Sequence, residues 1–78
     1  MGVKRIEDMI RTKQLGDVSR SDMLSFLHKE GYQESGGKGD HIRLVKIEEG
    51  LPHVLTLPGG RVLRKDQARY VLKEGHYL

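Results

Sequence analysis

The chain has 78 residues, a formal net charge of +3 and no cysteine. Its length allows one small domain with a thin core, because such a domain buries only about 60 % of the surface that its unfolded chain exposes. The lack of cysteine excludes disulfides and thiolate metal sites, and favours a reducing compartment such as the cytoplasm. No apolar run is long enough to span a bilayer, and residues 1–4 lack the apolar segment of a secretion signal, so we expect neither feature.

The first predicted element is a short helix at residues 3–13. Ile6, Met9 and Ile10 recur at positions i, i+3 and i+4, which places them on one face of a helix. The charged residues between them can face water. Gly16 then interrupts the pattern.

The second helix, residues 20–30, carries the clearest boundary signals in the chain. Ser19 and Asp22 have the spacing of a capping box at its start. Gly31 follows as a left-handed cap, and Tyr32 beyond it is placed to contact the last turn in a Schellman motif. The signals at the two ends are independent of each other, and both predict the same helix.

Three strands and a third helix complete the predicted fold. Alternating apolar and polar residues predict strands at residues 32–35, 40–47 and 53–57. The third helix is predicted at residues 65–74, with Ala68, Val71 and Leu72 facing inward. The order α-α-β-β-β-α predicts an α+β fold: a three-stranded antiparallel sheet with the helices on one face.

The stretch from Gly36 to Arg43 is the strongest candidate for a functional site. Its glycines permit a tight turn or a close approach of the backbone to a ligand, and Lys38 with the turn amides can receive a phosphate. Alternation places His41 and Arg43 on the solvent side of the second strand, opposite the core. Because histidine titrates near neutral pH, His41 can transfer a proton in phosphodiester cleavage. A plain glycine hairpin explains the same residues without any function.

A second candidate is the last helix, where Lys65, Arg69 and Lys73 recur every four residues. This spacing places them along one side of the helix as a basic ridge suited to nucleic-acid phosphates. A solvated helix face accounts for the ridge equally well. We call these three residues the basic ridge.

The remaining histidines are not expected to form a site. His28 and His76 are predicted to be ordinary surface residues, and His53 a partly buried residue at the sheet edge. No two histidines have the spacing of a metal pair on a helix, and cysteine is absent, so neither a metal nor a cofactor is expected.

Four segments together resemble the HicA family of small mRNA interferase toxins, also called YcfA-like proteins. The resemblance covers residues 19–78, and residues 1–18 resemble a helical extension found in part of that family, so that 1–78 would be a single HicA-like domain. The segments that carry it are Lys29-Glu30-Gly31-Tyr32, Gly39-Asp40-His41, Thr56-Leu57-Pro58 and Asp66-Gln67-Ala68-Arg69-Tyr70-Val71-Leu72-Lys73-Glu74.

The family motif is Gly-Ser-His, often followed by a second histidine. Gly39 and His41 match it, Asp40 replaces the serine, and Ile42 stands where the second histidine often occurs. The resemblance implies a catalytic role for His41 and a supporting backbone role for Gly39. Asp40 departs from the motif: its carboxylate either repels phosphate or orients His41 and raises its pKa.

The resemblance further implies a fold like the double-stranded RNA-binding domain, metal-independent cleavage of mRNA, and a HicB-like antitoxin as protein partner. Lys38, Arg43 and the basic ridge would then bind the RNA. A non-catalytic nucleic-acid-binding module of the same fold is the alternative, and a domain that binds only protein is a third possibility. The enzyme requires an exposed His41 beside cations, whereas the binding module requires only the cations.

Overall fold

The chain forms an α+β fold with a three-stranded antiparallel sheet, as predicted. The computed structural model describes residues 2–78, so that Met1, the first residue of the predicted extension, lies outside the described residues. Over the described range the elements are α1 (Gly2–Thr12), β1 (Val18–Ser19), α2 (Arg20–Lys29), β2 (Gln33–Lys38), β3 (His41–Glu48), β4 (Leu51–Leu57), β5 (Val62–Leu63) and α3 (Lys65–Glu74).

Both predicted boundaries of α2 are confirmed. The Ser19 hydroxyl accepts a hydrogen bond from the Asp22 backbone N–H at 3.1 Å and thereby caps the first turn. At the other end Gly31 has a φ of 102°, and the Tyr32 N–H donates to the Leu27 carbonyl at 2.9 Å. This is the Schellman arrangement, which turns the chain from α2 into β2.

The sheet has the strand order β2-β3-β4 and separates a core face from a solvent face. Leu44 pairs with Leu55, and Ile42 pairs with Leu57. Leu44, Leu55 and Leu57 are buried against the helices, with Ile42 packed beside them. Side chains alternate across a strand, so the residues between these positions point away from the core. The helices therefore cover one face of the sheet and leave the other exposed, as predicted.

A second, two-stranded sheet was not predicted. In it Val18 pairs with Leu63, and Ser19 pairs with Val62. Val18 and Leu63 are both buried, so this pairing closes the core beside the starts of α2 and α3. Strands of two residues are too short to show an alternating pattern, which is why the sequence did not indicate them.

The end of α3 carries a cap that differs in detail from that of α2. Gly75 is the C-cap as predicted, but the left-handed residue is His76, with a φ of 64°. A side chain at Gly75 would lie 2.6 Å from Cε2 of Tyr77, so glycine is required there for space. The Tyr77 ring packs edge-on against Phe26, with 5.0 Å between the ring centres.

The hydroxyl groups of Tyr32 and Tyr77 are buried without a hydrogen-bond partner among the described residues. Burial raises the pKa of both, and raises that of Tyr77 more strongly. The Glu30 carboxylate adds to the rise in the Tyr77 pKa through its charge, although the two groups do not have hydrogen-bond geometry. No helix within residues 2–78 has the length and apolar character needed to cross a membrane.

Candidate active site

A two-residue turn joins β2 to β3 and places His41 at the first position of its strand. Lys38 and His41 are paired directly, which leaves Gly39 and Asp40 as the turn. Gly39 has a φ of 65°, a conformation that glycine adopts without a steric penalty. Tight hairpins of this kind commonly place glycine at such positions. The side chains of Lys38 and His41 are therefore held next to each other at the hairpin end.

A bulge in β2 lies directly beside this turn. Glu34 pairs with Leu44 and Gly37 pairs with Ile42. Between these two pairs β2 advances by three residues and β3 by two, so β2 contains one extra residue, which forms a β-bulge. Gly37 has a φ of 151°, and a side chain there would overlap the carbonyl oxygen of His41. Glycine at position 37 thus allows the two strands to approach closely beside His41.

The hairpin forms one side of an open hollow of about 490 Å³ on the solvent face of the sheet. Its lining includes two cationic side chains and one histidine, and it contains no carboxylate. The lining residues are Ser35, Gly36, Gly37, Lys38, His41, Arg43 and Thr56. We call this space the His41 hollow.

His41 is exposed and points into the hollow from the face opposite the core. Among residues 2–78 its ring makes no hydrogen bond or ion pair, and the same holds for the cationic groups of Lys38 and Arg43. The imidazole and two positive charges are therefore free to meet an anionic ligand. This is the placement that proton transfer to or from a bound phosphodiester requires.

Asp40 does not have the orienting role that its position suggested. Its side chain lies against Gly59, where a Cβ would come within 2.5 Å of it. Across the described chain the Asp40 carboxylate forms neither a hydrogen bond nor an ion pair with His41. The carboxylate therefore faces the loop after β4, and the Asp40 carbonyl accepts a hydrogen bond from Arg20.

The basic ridge is exposed along α3, as predicted, but it does not share a pocket with His41. Arg69 and Lys73 line a smaller hollow of about 190 Å³, together with Lys13, Leu15 and Leu78. Helix α3 packs on the core side of the sheet, opposite the His41 hollow. The structure therefore brings Lys38, Gly39, His41 and Arg43 together at the hairpin and keeps Lys65, Arg69 and Lys73 apart from them.

The other histidines lie away from the His41 hollow. His53 is partly buried as predicted, with Nε2 2.6 Å from the Glu74 carbonyl oxygen. Its ring centre is 4.7 Å from that of His76. His28 is exposed, 3.5 Å from a Glu34 carboxylate oxygen. Nowhere in residues 2–78 do three histidine, aspartate or glutamate side chains gather closely enough to share a metal ion.

Two residues near the site were not singled out from the sequence. Thr56 is the cross-strand partner of Arg43 and lines the hollow. The alternation of β4 already placed Thr56 opposite Leu55 and Leu57, so this signal was available. Arg20, which contacts the Asp40 carbonyl, is 20 residues away in sequence and no local pattern indicates it. Comparisons with protein-family models, with curated proteins and with solved structures find no match to this chain.

Proposed function

We propose that this protein is a HicA-like toxin, an endoribonuclease that cleaves mRNA with His41 as its proton-transfer group. One observation carries the proposal: an exposed histidine, without a hydrogen bond or ion pair among residues 2–78, lines an open hollow together with Lys38 and Arg43 at a glycine hairpin. A histidine held only for packing would be buried or hydrogen-bonded to its surroundings. His41 is neither, and the positive charges of Lys38 and Arg43 beside it favour the binding of an anion.

The proposed reaction begins when His41 takes the proton from a ribose 2′-hydroxyl. The 2′ oxygen then attacks the adjacent phosphorus, and the bond from phosphorus to the 5′ oxygen breaks. The products are a 2′,3′-cyclic phosphate on one fragment and a 5′-hydroxyl on the other. Lys38 and Arg43 stabilise the negative charge that grows on the phosphate oxygens. DNA lacks the 2′-hydroxyl, so it should bind without being cut.

The leaving 5′ oxygen must receive a proton. Among the residues that line the hollow, His41 is the one histidine, the residue type that most often transfers protons in catalysis. We therefore assign both transfers to it: the imidazole removes the 2′ proton, and the resulting imidazolium returns a proton to the 5′ oxygen. The residues of this hollow need no metal ion for the sequence of steps, since their cations supply the charge stabilisation.

The basic ridge has a binding role in this proposal. Lys65, Arg69 and Lys73 stand on a different face from His41, so they can contact phosphates upstream or downstream of the cleaved bond. The protein would act in the cytoplasm, where its mRNA substrate is found. Its fold would correspond to that of the double-stranded RNA-binding domain, with residues 1–78 as one domain that carries an N-terminal helical extension.

The proposal includes a HicB-like antitoxin that covers the His41 hollow. On the same sheet face as the hollow but farther along the strands, the apolar residue Ile47 is 65 % exposed and Val54 is 46 % exposed. A partner that covers this face would present acidic groups to Lys38 and Arg43 and apolar groups to these two residues. Complementary charges of this kind speed association.

A second candidate function is a nucleic-acid-binding module without catalysis. The separation between the basic ridge and the His41 hollow favours it, because the ridge can bind phosphates whether or not His41 acts. Incubation of the purified protein with labelled RNA and with DNA of the same sequence distinguishes the two functions. The ribonuclease cuts only the RNA and leaves cyclic phosphate ends, whereas the module binds both nucleic acids and leaves both intact.

A further inference from the structure

Arg20 ties the hairpin that carries His41 to the rest of the fold. Its Nε donates to the Pro58 carbonyl oxygen at 2.9 Å, and its Nη2 donates to the Asp40 carbonyl oxygen. Asp40 immediately precedes β3, and Pro58 immediately follows β4. Because Ile42 pairs with Leu57, these two loops lie at the same end of the sheet. One guanidinium thus joins the hairpin turn to the loop after β4.

Arg20 is itself fixed at the start of α2. Its backbone N–H donates to the Arg61 carbonyl at 2.9 Å, and its side chain is partly buried. Across residues 2–78 its guanidinium forms no ion pair with a carboxylate, so its hydrogen bonds go to main-chain carbonyls. Gly59 contributes to the same junction, because the Asp40 side chain occupies the space where a Cβ on residue 59 would be.

The hairpin needs such an anchor because its other support is weak. Every residue of β2 is exposed, and β2 is an edge strand interrupted by a bulge. Strands with few buried contacts and exposed hydrogen bonds open readily. We propose that Arg20 is a positioning residue: it holds the turn at Asp40 in place and thereby sets where the His41 imidazole stands relative to Lys38 and Arg43. Its effect on catalysis rests on the ribonuclease function proposed above.

Arginine suits this role better than lysine does. The planar guanidinium presents donors in a rigid fork and can serve two carbonyls in different directions, whereas an ammonium is a point charge on a flexible stem. Arg20→Lys should therefore keep the charge but not the anchor. This difference separates positioning from simple electrostatic attraction of RNA at the same residue.

The test compares Arg20→Lys and Arg20→Gln with the control Arg61→Gln. Arg61 is exposed, and it contributes only its backbone carbonyl to Arg20, which glutamine also supplies. Amide ¹⁵N heteronuclear NOE values should fall at Gly39, Asp40 and His41 in both Arg20 variants and stay at the wild-type level in the control. With RNA, kcat should fall roughly 10- to 100-fold, as expected for a misplaced catalytic group, while KM stays within about threefold.

Two results would overturn the inference. A turn as rigid in Arg20→Gln as in the wild type would show that Arg20 is not its anchor. A raised KM with unchanged kcat, together with a smaller salt dependence, would show that Arg20 contacts RNA phosphate directly. If the wild-type protein cleaves no RNA, the ribonuclease proposal fails, and the NOE values still decide whether Arg20 anchors the turn.

Gly59→Ala displaces the same turn without any change in charge. Its added methyl group must move the Asp40 side chain. We expect increased mobility at Gly39 to His41 and a loss of kcat, as in the Arg20 variants. All measurements are made at a temperature where thermal melts show each variant to be folded. A normal turn in both Gly59→Ala and Arg20→Lys would contradict the proposed junction.

Discussion

A side-chain carbon at Gly37 would overlap the carbonyl oxygen of His41, so no side chain fits between β2 and β3 at this point. The geometry of the candidate catalytic residue thus depends on a glycine in the neighbouring strand. Gly36, one residue earlier, also has a positive φ, of 84°, but a side chain there would meet open space. The two glycines therefore form a matched pair for substitution.

Gly37→Ala should destabilise the protein more than Gly36→Ala. Both changes strain the backbone, at about 1–2 kcal/mol for a left-handed conformation, but only Gly37→Ala adds a steric overlap worth about 1–3 kcal/mol. In a domain of this size each kcal/mol lowers the melting temperature by roughly 4–8 °C. Thermal melts measure the difference. Equal melting temperatures for the two variants would mean that the strands separate freely at Gly37.

Removal of charge from the basic ridge and from the hollow should have different kinetic effects. Arg69→Gln with Lys73→Gln should raise KM at nearly constant kcat, because these residues bind RNA away from His41. The slope of log affinity against log salt should fall by roughly 0.7 for each phosphate of a single strand that the variant no longer neutralises. Filter binding over a salt series measures this slope. Lys4→Gln, an exposed cation on α1, is the control and should leave both quantities unchanged.

Lys38→Gln and Arg43→Gln should mainly lower kcat. Their charges act on the phosphate oxygens as negative charge develops there, and the removal of one such group commonly costs about 10²-fold or more. Single-turnover kinetics at saturating protein isolates this step. Wild-type single-turnover rates in both variants would show that Lys38 and Arg43 do not stabilise the transition state, even if RNA binding were weakened.

The stability of the protein should decline at alkaline pH because of its buried tyrosines. An unfolded tyrosine loses its proton near pH 10, whereas burial raises the pKa of Tyr77 and Tyr32 in the folded state. Above about pH 10 the unfolded state therefore binds fewer protons than the folded state, and the free energy of unfolding falls as pH rises. Below about pH 10 both tyrosines are protonated in the folded and the unfolded states, so they cause no loss of stability there.

Tyr77→Phe removes part of this alkaline decline. It keeps the edge-on contact with Phe26 and deletes a buried hydroxyl that has no hydrogen-bond partner in the described chain. Urea melts between pH 8 and pH 11 should show a shallower decline in Tyr77→Phe than in wild type. Tyr70→Phe is the control, because the Tyr70 side chain is 60 % exposed. An identical decline in wild type and Tyr77→Phe would rule out Tyr77 as its source.

Binding of the proposed antitoxin should depend on the exposed apolar residues on the same sheet face as the hollow. Ile47→Asp places a carboxylate on the exposed sheet face, where it would repel acidic groups of the partner and remove an apolar contact. Co-purification of the two proteins should be abolished in this variant and retained in Val62→Asp, whose residue is 53 % exposed in the small sheet. Normal co-purification of Ile47→Asp would show that the partner binds elsewhere.

Local signals predicted the elements whose ends are set by local contacts. The capping residues Ser19 and Gly31 gave both ends of α2 to within one residue. Strand β2, in contrast, was predicted to end at residue 35 and continues to Lys38. Glycine has a low intrinsic preference for strands, but Gly37 and Lys38 pair with Ile42 and His41 of β3 and so extend β2 beyond the bulge.

The candidate site was predictable only where strand alternation applies. The two-residue period placed His41 and Arg43 on the solvent face, and the structure confirms that placement. The environment of Asp40 was not predictable, because Gly59 and Arg20 reach it through tertiary packing. For the same reason the spacing of the basic ridge on α3 gave no information about its separation from His41.

The catalytic role of His41 can be measured by cleavage of labelled RNA with wild type, His41→Ala and the control His28→Ala. His41 is exposed and outside the core, so His41→Ala should melt at the wild-type temperature. Its cleavage rate should fall by about 10²-fold or more, the usual contribution of a positioned acid or base. His28→Ala, which changes another exposed histidine, should cleave normally. A folded His41→Ala protein that cleaves RNA at the wild-type rate would show that His41 is not the proton-transfer group.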